Sequence, residues 1–135
     1  MTTPHPVTAY AAPLGRIFLS AIFIIAGFSK ITGYAGAAAY MNSQGVPGAL
    51  LPLVILVELA GGIALLLGWQ ARTAAFLLAG FSVLSGVLFH YIPSLDLEGF
   101  AAAAEMNNFM KNISIAGGML MVVAMGPGRF SLGRS

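Results

Sequence analysis

Ala49-Leu-Leu-Pro-Leu-Val-Ile-Leu-Val-Glu-Leu-Ala-Gly-Gly-Ile-Ala-Leu-Leu-Leu-Gly68 is an apolar run of bilayer-spanning length that is broken by a single charge, Glu58. Placing a charge at mid-bilayer costs roughly 2.5 to 3.5 kcal/mol even on lenient insertion scales, so Glu58 is expected to face a partner, a cavity or a ligand and not lipid. Three further segments read the same way, giving expected spans at about 14–31, 49–69, 73–92 and 109–125 with short tails at 1–13 and 127–135. The fourth is short and polar at its start, Asn108-Phe-Met-Lys-Asn112, which is expected to be buried among neighbours. Tyr10, Tyr34, Trp69 and Tyr91 fall near segment ends, as interfacial aromatics do.

Composition agrees. Of 135 residues, 59% are hydrophobic and 7% charged, and mean hydropathy is +0.91, whereas soluble domains carry about 25% charged residues. Four spans of roughly 20 residues use the whole length, so the expected fold is all-α: one integral membrane four-helix bundle and a single transmembrane domain. A net charge of +2, carried on scattered residues, excludes a nucleic-acid partner, and the absence of cysteine excludes disulfides, thiolate metal sites and a thiol relay. A signal peptide could be read at Leu14–Ser29 followed by Ala35-Gly-Ala37. No Lys or Arg precedes Arg16, however, and Lys30 interrupts the approach to that cleavage box, so a retained span is expected. Arg16, Arg72, Arg129 and Arg134 fall at one end of the expected bundle, and Lys30 and Lys111 at the other. By the positive-inside rule both termini are cytoplasmic.

The halves echo one another. Ile24-Ile-Ala-Gly-Phe-Ser29 recurs as Leu77-Leu-Ala-Gly-Phe-Ser82, and Leu59-Ala-Gly-Gly62 as Ile115-Ala-Gly-Gly118, so the bundle reads either as two repeated helical hairpins or as two helix pairs sharing a need for small residues. Under both readings Gly61, Gly62, Gly117 and Gly118 serve packing, while Arg16 and Arg72 hold orientation.

The chemistry-bearing side chains converge on the extracytoplasmic side. Lys30 and His90 close helices one and three there, and Asn108, Lys111 and Asn112 stand at i, i+3 and i+4 as one polar stripe. Glu58 lies about nine residues below that level. This layout predicts a polar pocket with Glu58 at its floor, as proton acceptor or relay, and with Lys30, His90, Asn108, Lys111 and Asn112 as ligand-binding residues. Alternatively, Glu58 forms a structural ion pair with Lys30 or Lys111, or is a protonated acid bonded to a carbonyl. A lone His90 makes no metal site. Residues 93–107 alternate acidic and apolar positions and favour helix from Phe100, which predicts a short amphipathic helix between helices three and four, lying on the outer surface above the pocket.

These residues also carry a family likeness. Leu14-Gly-Arg-Ile-Phe-Leu with Gly27-Phe-Ser-Lys30, Glu58-Leu-Ala-Gly-Gly62 with Leu65-Leu-Leu-Gly68, and Asn108-Phe-Met-Lys-Asn112 with Ala116-Gly-Gly118 resemble the DoxX family of small four-helix bacterial inner-membrane proteins, from about Leu14 to Gly126. The family pattern often carries His where Asn108 stands, and an amide transfers no proton. Some members of that family are subunits of a thiosulfate:quinone oxidoreductase and others belong to oxidative-stress complexes. The resemblance therefore implies a quinone-binding or membrane-anchoring oxidoreductase subunit, with an isoprenoid quinone as the ligand, a partner subunit or self-association, and the lipid bilayer as surroundings. The alternative is a non-catalytic scaffold or assembly factor. Quinone chemistry suits the layout, because a buried acid beside a cation changes protonation readily.

Overall fold

The computed structural model of the protein describes residues 5–133. Helix α1 spans Pro6–Thr32, α2 Tyr34–Ser43, α3 Leu51–Leu67, α4 Ala71–Gly86, α5 Ile92–Ser94 and α6 Gly99–Met125. A 3₁₀ turn, Gly48–Leu50, leads into α3, and a π turn, Val87–Tyr91, joins α4 to α5. Pro6–Thr32, Gly48–Leu67, Ala71–Ser94 and Gly99–Met125 are each long and apolar enough to cross a membrane, and no strand occurs among the described residues. The fold is an all-α, four-helix membrane bundle.

Two boundaries differ from expectation. Helix one begins at Pro6 instead of Leu14, because Pro6 occupies the first turn, where no amide hydrogen is needed, and the His5 ring nitrogen accepts from the Val7 amide at 3.3 Å. Pro13 lies inside the helix. Helix four begins at Gly99, so the separate surface helix expected between helices three and four is its first turns. The Ala101–Ala104 run is an excellent helix former, and no proline or glycine follows until Gly117. The additional short helix lies instead in the link from α1 to α3, as α2.

The helices pack as two close pairs, α1 with α3 and α4 with α6, joined mainly by α3 against α4, while α1 and α6 barely touch. Lipid provides no hydrophobic drive for helices to associate, so close approach depends on small residues. The buried face of α4 is Ala71, Ala74, Ala75 and Ala79, with Leu78 among them. Large side chains such as Phe18, Ile25, Leu56 and Phe76 point outward as a lipid-facing surface.

The recurring glycine motifs make unlike contacts. A Cβ on Gly27 would lie 2.7 Å from Leu59 Cγ, whereas one on Gly80, its counterpart in α4, would meet nothing within 4 Å among the described residues. Likewise Gly61 faces Leu78, Gly62 faces Ile24 and Gly118 faces Leu19, but a Cβ on Gly117 would meet open space, so Gly117 takes no part in the packing expected of it. Gly27→Ala should therefore push α1 off α3 and lower stability by about 1–3 kcal/mol, while Gly80→Ala should not. Equal melting temperatures in one detergent would refute the close approach.

Candidate functional site

Close approach at Gly27 sets the site. Lys30 follows one turn later on α1, and its Nζ lies 2.8 Å from Oε1 of Glu58 on α3. The pair is lopsided: the Glu58 side chain is 3% exposed and that of Lys30 32%. At 2.8 Å the ammonium is within hydrogen-bonding reach of the carboxylate. Of the partners expected for Glu58, Lys30 is the one found. Lys111 is exposed on α6 and forms no ion pair among the described residues.

The ion pair borders a cavity of about 330 Å³ with walls from all four spanning helices and α2. Its aromatic wall is Phe23, Phe81, Phe89 and Tyr40, and its polar groups are Lys30, Glu58, Ser82, Ser85, His90 and Asn112. Thus Lys30, Glu58, His90 and Asn112 meet around one space, while Asn108, half-buried, and Lys111 do not line it. Asn112 Nδ2 reaches across from α6 to donate to the Ser82 carbonyl at 3.0 Å and to Ser85 Oγ at 3.3 Å. Gly86 makes room for it, since a Cβ there would stand 3.0 Å from Asn112 Cβ. Ser82 Oγ is buried on the cavity wall without a hydrogen-bond partner among the described residues. An unpaired hydroxyl beside an apolar space is a ready donor or acceptor for a ligand.

The rim is built by the π turn, which falls within the span expected at 73–92, and by α2, a segment to which no element was assigned. The π turn, a feature often found at functional sites, places Phe89 against the Tyr40 ring of α2 with centroids 5.7 Å apart. It also sets His90 Nδ1 2.7 Å from Glu105 Oε2, where the ring N–H donates to the carboxylate. Tyr40, on α2 outside the spans, is pushed above the ordinary tyrosine range, first by burial and then by the Glu105 charge, so its phenol stays a neutral donor. The helix covering the cavity is therefore α2, with Ala37, Tyr40 and Met41 on the wall, and not residues 93–107. A signal for Ser82 and Ser85 was present: two hydroxyls at i and i+3, followed by Gly86, in an apolar span. Nothing in the sequence marked Tyr40 as a neighbour of the site, whereas Glu105 falls within the segment expected above the pocket.

The arginines form the opposite end. Arg16, 2% exposed, donates through Nη1 to the Leu66 carbonyl (2.9 Å), with Leu65 at 3.4 Å, and through Nη2 to those of Arg129 (2.8 Å) and Phe130 (2.9 Å). It holds the chain following α6 against the end of α3, a larger role than orientation alone. Arg72 packs beside Gly126, where a Cβ would lie 3.1 Å from Nη2. Arg134, counted in the charge asymmetry, lies outside the described residues.

The family model described as DoxX matches residues 11–91, from the early turns of α1 through the π turn, and so includes Lys30, Glu58 and both serines. The chain is 46% identical over 121 residues to Inner membrane protein YqjF of Escherichia coli (strain K12), covering 90% of this chain and 88% of that one. It is 38% identical over 123 residues to Inner membrane protein YphA of the same organism, covering 90% and 86%. No solved structure matches it. With a family match over more than half its length and relatives alike nearly end to end, this four-helix membrane protein belongs to the DoxX family.

Proposed function

We propose that the chain is an inner-membrane, quinone-binding subunit of an oxidoreductase system. The observation that carries this reading is the cavity beside Lys30 and Glu58, which combines an aromatic wall with a few convergent polar groups. At about 330 Å³ it stands at the small end of ligand pockets, which run to roughly 1,000 Å³. It suits one flat ring with the remainder of the ligand outside the cavity. A quinone ring is apolar on its faces and carries a carbonyl acceptor at each end. Phe81 and Phe89 supply ring faces, the Lys30 ammonium supplies a donor from α1, and the buried Ser82 hydroxyl supplies a second from α4 once it turns toward the ligand. Reducing a quinone takes two electrons and two protons. The Lys30–Glu58 pair and the His90–Glu105 pair can each pass one proton to the ligand, and a partner oxidoreductase subunit supplies both electrons.

Arg16, Arg72 and Arg129 at one end of the bundle support an orientation with both termini cytoplasmic, in which the cavity faces the outer half of the membrane. The relatives' own names support the inner membrane as location. Purification in mild detergent followed by mass spectrometry of bound small molecules and proteins tests the reading. A quinone near one per chain is expected in the wild type and should be lost in Glu58→Gln. A partner protein retained without any quinone would make the chain a scaffold.

A further inference from the structure

Beside the polar cavity lies a second of about 200 Å³, lined by apolar surface alone. It runs between α3 and α4 beneath the link from α2, with Val46, Leu50, Leu53, Val57, Leu84 and Leu88 as walls of its own. Met41, Val54, Phe81, Ser85 and Phe89 line both spaces, so only side chains separate them. Leu50, Leu53 and Leu84 are 45%, 57% and 59% exposed, which puts the mouth of the second space on the lipid-facing surface. The link above it is fastened: Asn42 Oδ1 accepts from the Gly48 amide at 2.8 Å, and a Cβ at Gly48 would crowd the Ala38 carbonyl at 2.9 Å.

We infer that the second cavity is a tail exit: a ligand whose polar ring sits beside Lys30 and Glu58 sends a single apolar chain out between α3 and α4 into the lipid. This rests on the quinone reading and deepens it, because it specifies a long-tailed quinone over a small water-soluble ring. A polyisoprenoid tail is far larger than both cavities together, so a seated head requires a route to lipid. The loosely packed α1 and α6, which bring Ile22 and Ile115 to the polar cavity's wall, make the competing route. The α3–α4 route is favoured because it adjoins the head site, parted from it by shared side chains that a tail must displace, and presents no polar surface to a hydrocarbon chain. The gain is steric, since a tail in a protein groove is no less solvated than one in lipid.

Two measurements test it. Affinities for a long-tailed quinone and for its tail-less analogue are compared in the wild type, Leu53→Trp and Leu84→Trp, substitutions at exposed positions that fill the mouth. The long-tailed form should weaken by at least about tenfold, on the order of 1.4 kcal/mol, with the tail-less form within about twofold. Unchanged long-tailed binding, or equal loss of both ligands, overturns the tail exit. In the wild type, a quinone carrying a photoreactive group one or two isoprene units from the ring should label Leu53, Leu84 or Leu88. Labelling confined to Ile22 and Ile115 places the tail between α1 and α6 and overturns the inference while leaving the quinone reading intact. Failure of the wild type to bind either ligand overturns both.

Discussion

Lys30→Met should destabilise the bundle by about 3–5 kcal/mol, and clearly more than Glu58→Leu, although the two substitutions break the same contact. The reason is the uneven burial of the pair. Without Lys30, a carboxylate that is 3% exposed loses the cation facing it. Without Glu58, Lys30 remains about one-third exposed at a helix end, where its long stem can turn the ammonium toward water, so that loss should be about 1–2 kcal/mol. The double variant Lys30→Met with Glu58→Leu should recover most of the stability, because replacing a buried pair with apolar residues of similar size is often neutral or better. Unfolding of all four proteins in one detergent measures this. Equal losses in the single variants would contradict the asymmetry, and a double variant as weak as Lys30→Met would show that the pair is needed for packing itself.

Arg16→Leu should cost a comparable amount at the other end. The guanidinium serves the Leu66 carbonyl in the last turn of α3, where a helix end leaves carbonyls to be satisfied from outside, and more distantly that of Leu65, which also accepts from the Gly68 amide at 3.2 Å, together with those of Arg129 and Phe130. Hydrogen bonds to charged groups contribute about 1.5–3 kcal/mol each, and several carbonyls would be stranded at once, so a loss of about 3–5 kcal/mol is expected. Arg16→Lys keeps the charge but not the planar fork that spans both segments, and should fall between. The segment after α6 would then keep two backbone bonds, Leu132 to the Leu67 carbonyl at 3.0 Å and Gly133 to that of Gly68 at 3.2 Å, and the stacking of Phe130 on Tyr10 with centroids 5.9 Å apart. Limited proteolysis should accordingly cut residues 127–133 faster in Arg16→Leu. Protection equal to the wild type would mean that those remaining contacts suffice.

Hydropathy made the four spans legible because a bilayer demands long apolar helices with all backbone groups paired internally. It could not set their ends. Glu98 and Glu105 moved the expected start of helix four to Phe109, yet once a helix is nucleated a run of alanines propagates it through charged residues. Glu58 stood out as a lone charge, but Lys30 and Lys111 were equivalent by spacing. Only the close approach at Gly27 selects Lys30, and Gly27 and Gly80 lie in near-identical motifs with opposite surroundings. Tyr40 was invisible because α2, ten residues with two glycines nearby and no apolar stripe, reads as a loop. Its position over the cavity comes from tertiary contacts with Phe89.

Photolabelling with a quinone that carries its reactive group on the ring, followed by peptide mapping, tests the central claim most directly. Adducts on Phe81, Phe89 or Tyr40, competed away by unlabelled quinone and lost in Glu58→Gln, are the expected result. Adducts confined to outward-facing side chains such as Phe18 and Phe76, unaffected by competitor, would mean that the cavity beside Lys30 and Glu58 is not a quinone site.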